Sequence, residues 1–427
     1  MRLRRLTRRF RSLRRDVVDW TGWTSRRFRS DFAASVGLPG NERHVLIAPP
    51  GAGNIGDQAM VEAFLAAADL PVTVVTRGAD DFALPVDLAP RATILPLADL
   101  FYGQGAAHRD DVVRLACAVD GAATVSIVGA DIMDGVYVLR PSLRRSSLAA
   151  AAAKAGFDST VLGFSWNSAA PRPAWASLRR AGAAGARLLL RDPASAARVR
   201  DAGIQGAIET ADIVFTDDRV DAAAAAAVLA PVSGPYVLVN CSGLIARKLD
   251  QVPEYVAVIG HFRARGLHVV LLPHVVRSTA DDLTACRAVF DAVGADGVTF
   301  VQEVLAPSTI RALAQGASLT VTGRMHLAVM SLSQGIPSIT LATQGKVEGL
   351  MRLFGWPELC VTPRAGMADE IVRVADAALD GPDTSERIRR GAASARELAG
   401  RNIVRIGGPT QKAMSPTALS GTGARDG

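Results

Sequence analysis

The residues best equipped for chemistry lie in Thr322-Gly323-Arg324-Met325-His326, which sets an imidazole two positions from a guanidinium. A histidine titrates near neutral pH and can pass a proton to a reacting atom. An arginine carries a planar fork that grips carboxylate or phosphate through paired hydrogen bonds. A second arginine, Arg191, stands in Leu190-Arg191-Asp192, and His274 follows Leu272-Pro273. Residues 45–60, VLIAPPGAGNIGDQAM, offer an anion site of another kind. An apolar run there breaks at Gly51, Gly53 and Gly56 and passes into a helical pattern. Such a loop aims backbone N–H groups and the positive end of a helix dipole at an anion. The glycine spacing formally satisfies GxGxxG, so a dinucleotide-dependent dehydrogenase is one reading. Against it, the next apolar run, 72–76, leads into Arg77, with Asp80 only later, where an acidic ribose-binding residue is wanted. A P-loop is excluded, because Asp57 stands where Lys and Ser or Thr are required. The plain alternative is a tight turn in which Asn54 and Asp57 cap the helix.

Other chemistries find less support. No His, Asp and Glu cluster has metal-ligand spacing, so no metal is expected. Cys117, Cys241, Cys286 and Cys360 are scattered without a CxxC pair. They read as small buried hydrophobes in a reducing compartment. His44, His108, His261 and His268 have no supporting context and receive no role.

The elements that must position these residues follow an alternating pattern. Short continuous apolar runs at 45–48, 72–76, 93–96, 123–128, 159–163, 186–190 and 213–215 read as strands buried on both faces. Helical stretches fall between several of them, at 59–68 and 193–202 among others. A polar break at 216–221 and an Ala-rich helix precede a second series. Its strands are 236–239, 268–272, 299–300, 319–322 and 338–341, separated by helices near 253–265, 280–292 and 326–334. Two such blocks predict an α/β chain of two Rossmann-like, doubly wound domains facing a cleft. The expected divisions are an arm at 1–40, a first domain at 41–220, a second at 221–405 and a disordered tail at 406–427. With 427 residues, 49% hydrophobic and 21% charged, the chain can fill two cores and is not a largely disordered one.

The net charge of +7 suggests nucleic acid or membrane until it is located. Residues 1–32 hold 11 Arg against Asp16, Asp19 and Asp31, so the arm is +8 and the rest sums to −1. With Leu3, Leu6, Phe10, Leu13, Trp20 and Trp23 interleaved, the arm reads as a helix able to lie on an anionic membrane surface. A solvated tail, or one packed on its own body, is the alternative. Nothing else supports a nucleic-acid partner. The amino terminus lacks the apolar stretch of a secretory signal, and no run reaches the roughly 18 apolar residues that span a bilayer. The expected location is the cytoplasm, with the arm able to touch the inner face of the membrane.

Five segments together resemble the polysaccharide pyruvyl transferase family. Gly53-Asn54-Ile55-Gly56-Asp57-Gln58-Ala59 is similar to its GNxGDxA signature. Ser126 to Asp131 resembles its second glycine turn, with Ala130 and Ile132 where more glycine is usual. Arg191-Asp192-Pro193-Ala194-Ser195, running to Gly203, is similar to its RD..S strand and helix, with Val199 in place of Leu. Asp212 sits where an aspartate is expected. Thr322 to His326, then Gly335-Ile336-Pro337, Lys346 and Gly349, complete the series, which covers roughly residues 45–360.

The resemblance implies a GT-B-like fold and transfer of a carboxyethylidene (pyruvyl ketal) group from phosphoenolpyruvate to two hydroxyls of a polysaccharide or glycolipid sugar. It implies His326 as the acid that protonates the methylene carbon, with the donor's anions favouring its protonated form. Asp57 is a candidate base for the acceptor hydroxyl. Arg324, Arg191, Lys346 and His274 would surround the donor, with Gly53, Asn54 and Gly56 as the anion or acceptor loop. Arg191 and Arg324 could instead form inter-domain salt bridges, and His326 be a helix-capping or core residue. Phosphoenolpyruvate is then a substrate, and no cofactor is expected. A GT-B glycosyltransferase using a nucleotide-sugar is the alternative enzyme, and a catalytically dead glycan-binding relative the non-enzymatic one.

Overall fold

The computed structural model describes residues 19, 22–277, 280–342 and 346–407. Most of the arm and the tail beyond residue 407 lie outside the described residues, including the positions proposed for lipid contact at Leu3 to Trp20.

Fifteen strands are formed among the described residues. β1 (Arg43–Ile47), β2 (Val72–Thr76), β3 (Ala92–Pro96), β4 (Ala122–Ala130), β5 (Asp158–Phe164), β6 (Arg187–Leu190) and β7 (Ala207–Glu209) make one parallel sheet in the order β3-β2-β1-β4-β5-β6-β7. β8 (Tyr236–Asn240), β9 (His268–Leu271), β12 (Val298–Phe300), β13 (Ala317–Thr322), β14 (Ser338–Leu341) and β15 (Cys360–Val361) make the other, in the order β12-β9-β8-β13-β14-β15. A small antiparallel hairpin of β10 (Val276–Arg277) and β11 (Ala280–Asp281) projects between them. Val, Ile and Leu dominate the central strands β1 and β8, β13 adds two Thr to its Leu and Val, and all three are buried almost throughout. Branched side chains suit strands covered on both faces by helices.

Both sheets reverse direction of growth beside their first strand, between β1 and β4 and between β8 and β13. Open α/β sheets bind ligands at the carboxyl ends of the strands flanking such a reversal. The loops after β1, β4, β8 and β13 lie at these reversals, those after β6 and β9 stand close by, and the two sets of loops meet across the cleft.

Two expected elements are different. Residues 213–215, read as a strand, are a 3-10 turn, Ile213–Thr216. The Asp212 side chain accepts from Val214 N at 3.1 Å and turns the chain before a strand can form. The strand of this stretch is β7, a few residues earlier. Residues 22–33 of the arm include the helix Trp23–Ala33, and Phe28 and Phe32 are fully buried in the first domain's core. That part of the arm packs on its own body.

The chain also returns to its start. The helix Thr384–Gly400 ends against the first domain, where Thr210 Oγ1 donates to Leu398 O at 2.7 Å. Asn402 Nδ2 donates to Thr210 Oγ1 and Ala211 O at 2.9 and 3.0 Å, and Asp69 N donates to Ile406 O at 2.8 Å. Asn402 and Ile406 are buried.

Candidate active site

The glycine loop follows β1. Asn54 is the N-cap of the helix Ile55–Ala67, its side chain accepting from Gly56 N at 3.0 Å. Asp57 is not the cap. It sits in the first turn with its carboxylate buried and held by Arg277 Nη2 at 2.9 Å. Burial raises the Asp57 carboxyl above its ordinary value, against the pull of the Arg277 charge. Arg277 also donates to Ala52 O at 2.7 Å, so the hairpin of the second domain holds the loop of the first. Val276 N donates to Gly53 O at 2.8 Å and Ile55 N to His274 O at 3.2 Å. Gly53 has φ +72°, and a Cβ there would collide with Val276 O. Both facts require glycine.

Across the cleft, β13 ends at Thr322, whose hydroxyl accepts from Arg324 N at 2.9 Å and fixes the turn into the helix Met325–Ser333. His326 lies in the first turn of that helix and enters the space over Gly56. A Cβ on Gly56 would overlap the imidazole at Nδ1. His326 Nε2 stands 3.3 Å from Asp212 Oδ2 of the first domain, an ion-pair contact without aligned hydrogen-bond geometry. Burial would raise the Asp212 carboxyl, but His326 and Arg191 hold it well below the usual carboxylate range.

Arg191 leaves the end of β6 and is buried. Its Nη1 donates to Asp212 Oδ2 at 2.9 Å, Nε to Ser165 Oγ at 3.0 Å and Nη2 to Asp131. Lys346 Nζ, from the second domain, pairs with the other oxygen of Asp131. Burial again opposes ionisation of Asp131, and the Lys346 and Arg191 charges bring it down to about 2. Ala130, just before it, has φ +45°. That left-handed conformation costs an alanine about 1–2 kcal/mol, which is the physical reason a glycine suits this position.

Arg324 points at Asp282, its Nε donating at 3.1 and 3.0 Å and its Nη2 at 2.5 Å. Asp282, fully buried, also accepts from Asn240 Nδ2, Gly243 N, His274 N and Val275 N at 2.8–3.1 Å. This hub fixes the loops after β8, β9 and β13 in one arrangement. His274 is 1% exposed, and neither ring nitrogen has a hydrogen-bond partner among the described residues. Burial, then the nearby His326 and Arg324 charges, push it well below the ordinary histidine value, so it is neutral at pH 7.

The residues singled out from the sequence thus converge. His326, Arg324, Arg191, Lys346, His274 and Asp57 occupy one zone between the two sheets, with Gly53, Asn54 and Gly56 forming its floor. Asp131 and Asp212 pair with these cations, and Arg277 and Asp282 complete the zone. Asp131 and Asp212 fell within the motif segments. Arg277 and Asp282 carried no local signal, since their partners lie far away along the chain. Among the described residues no group of three or more His, Cys, Asp or Glu side chains could hold a metal ion, and no helix is long and apolar enough to cross a membrane.

Comparison with known proteins gives three findings. No curated protein matches the sequence. Solved structures match in fold. UDP-GlcNAc 2-epimerase from Methanocaldococcus jannaschii has TM-score 0.55 at 10% identity, over 83% of this chain and 99% of that one. UDP-GlcNAc 2-epimerase from Neisseria meningitidis bound to UDP-GlcNAc has TM-score 0.54 at 9% identity, over 86% and 100%. A glycosyltransferase from Rickettsia africae has TM-score 0.50 at 8% identity, over 88% and 100%. At such identities these likenesses establish the GT-B fold and nothing of the substrate. The sequence model of polysaccharide pyruvyl transferase matches residues 54–345, more than half of the chain, and that span holds Asn54, Gly56, Asp57, Asp131, Arg191, Asp212, Arg324 and His326. The chain belongs to the polysaccharide pyruvyl transferase family.

Proposed function

We propose that the protein transfers a pyruvyl ketal from phosphoenolpyruvate to two hydroxyls of a glycan or glycolipid sugar, with His326 as the proton donor. The observation that carries this reading is the placement of His326 against Asp212 at 3.3 Å, amid Arg191, Arg324 and Lys346. These cations suit a donor with a carboxylate and a phosphate. Asp212 orients the imidazole, as a carboxylate does for a histidine that must present one nitrogen to a substrate.

In this mechanism His326 gives its proton to the methylene carbon of the enol, making it a methyl group and leaving C2 electrophilic. The first sugar hydroxyl forms a C2–O bond and loses its proton to a carboxylate. Asp57 is suited to that task, because burial raises its basicity. The C2–O bond to phosphate then breaks, the second hydroxyl closes the ketal, and its proton leaves with the phosphate. Two hydroxyl protons are released: the one taken by Asp57 passes on to His326, replacing the proton given to the methyl carbon, and the other leaves on inorganic phosphate.

A nucleotide-sugar donor is the weaker reading. A cavity of about 1040 Å³ beside the glycine loop is lined by Glu62, Asp80, Asp81, Asp87 and Asp221 with Arg219 as its cation. Such a lining repels a diphosphate.

The test is phosphate release from phosphoenolpyruvate in the presence of extracted polysaccharide or glycolipid intermediates. His326→Ala is expected to lower the rate about 10²-fold or more while calorimetry still detects donor binding. Unchanged release in a folded variant would eliminate the acid role.

A further inference from the structure

A second cavity, of about 220 Å³, opens on the first-domain side of Lys346. It shares Asp131 and Lys346 with the cationic zone, and its remaining walls come from Asp134, Trp166, Asn167 and Arg198 together with serines. Its size is below the ~300 Å³ at which pockets begin to hold drug-sized ligands, so it admits a small unit such as one sugar ring.

Its charge is balanced. Two carboxylates, Asp131 and Asp134, face two cations, and both cations are already engaged. Lys346 pairs with Asp131, and Arg198 Nη1 donates to Trp166 O at 2.8 Å. With two carboxylates against two cations the cavity carries no net positive charge to draw a multiply charged anion. A neutral polyol meets carboxylate, amide and hydroxyl groups that can accept from and donate to its hydroxyls.

The walls are also fixed in advance. Asp134 Oδ1 accepts from Val136 N at 3.0 Å and Oδ2 from Asn167 N at 3.3 Å. Asn167 Oδ1 in turn accepts from Ala169 N at 2.8 Å. Trp166 is buried edge-on against Trp175, with ring centroids 4.9 Å apart, and its indole N–H has no partner among the described residues. A buried indole donor ordinarily finds an acceptor.

We propose that this cavity is the acceptor subsite and binds a single neutral hexopyranose unit, placing its hydroxyls beside Asp131 and Lys346. The proposal rests on the pyruvyl-transfer reading for its purpose but is tested by binding alone. Methyl glycosides of glucose, galactose, mannose and N-acetylglucosamine serve as probes, followed by saturation-transfer NMR with the full chain. At least one should bind saturably. Asn167→Ala, which removes the wall amide, should weaken it about five- to tenfold. Asn167→Phe, which fills the cavity, should abolish it, with phosphoenolpyruvate affinity by calorimetry held within about twofold of wild type in both variants. Absence of saturable binding by every glycoside, or glycoside affinity unchanged in Asn167→Phe, overturns the proposal. So does loss of phosphoenolpyruvate binding in Asn167→Phe, which would give the cavity to the donor. Glycoside binding as described, in a protein that releases no phosphate from phosphoenolpyruvate, would leave the subsite standing and remove the pyruvyl reading.

Discussion

Gly56 and His326 are 270 positions apart and come from facing domains, yet the missing side chain of one is the room occupied by the other. Gly56→Ala should leave both sheets folded and displace the imidazole. A misplacement of about 1 Å can cost a reaction about 10²-fold. Phosphate release should fall on that scale while the circular dichroism spectrum is retained; a fully active Gly56→Ala enzyme would show that the contact does not set the histidine's position. At this scale the sequence was legible where chemistry is local. Arg324, His326 and the GNIGD loop announced themselves by type and spacing. Asp282 did not, because an aspartate at the start of a helix looks like an ordinary first-turn residue. Its importance arises only when Asn240, His274 and Arg324 are folded around it. The Arg324 salt bridge anticipated from the sequence exists, but within one domain. His326 belongs to a contact that does cross the cleft.

Elements were legible in proportion to their burial. Central strands appear as unbroken apolar runs, so β1, β2, β5, β8 and β13 could be located to within a few residues. β7 and β15 are edge strands of three and two residues, too short and too partly exposed to leave a pattern. The run Ile213-Val214-Phe215 has the composition of a strand and became a 3-10 turn because a capping carboxylate precedes it. The helix Trp23–Ala33 shows the opposite failure, since its arginines concealed a buried phenylalanine pair. Phe28 packs 5.9 Å from the ring of His108 in the helix Gly105–Ala118. Burial, with the Arg144 charge, lowers His108 to about 4, while Asp31 and the Asp99 and Leu100 carbonyls pull the other way. A lowered histidine favours the fold most above its unfolded value of ~6.5, and the advantage declines as pH falls toward about 4. The urea midpoint of the wild type should therefore drop between pH 7 and pH 4.5, and His108→Gln should flatten that part of the profile. Equal slopes in the two proteins would separate helix docking from this titration.

At the scale of the molecule, the domains are tied by ion pairs whose members stand on opposite sides of the cleft: Lys346 with Asp131, Arg277 with Asp57, His326 with Asp212. Asp131 is the most informative to perturb. Its carboxyl is depressed to about 2 against ~3.9 in an unfolded chain, so its contribution is fully present above about pH 4 and is lost as pH falls through about 2. Asp131→Asn should lower the urea midpoint at pH 7, and the gap from wild type should narrow as the medium is acidified below about pH 4. A gap that stays constant to pH 2.5 would mean that the charge of Asp131 is not what stabilises the fold. Two facing α/β blocks were legible from the rhythm of the chain. The way they grip one another was not, because every one of those pairs joins residues more than a hundred positions apart.

The return of the last helix to the first sheet has a consequence for how the protein is made. Thr210 waits for a carbonyl 188 residues further on, and Asp69 for one at Ile406. During synthesis the leading half emerges with a seam that only residues 384–406 can seal, so the first lobe stays unfinished until that distant stretch has been made. A nascent chain held at the end of β15 would carry a nearly finished lobe with an open flank.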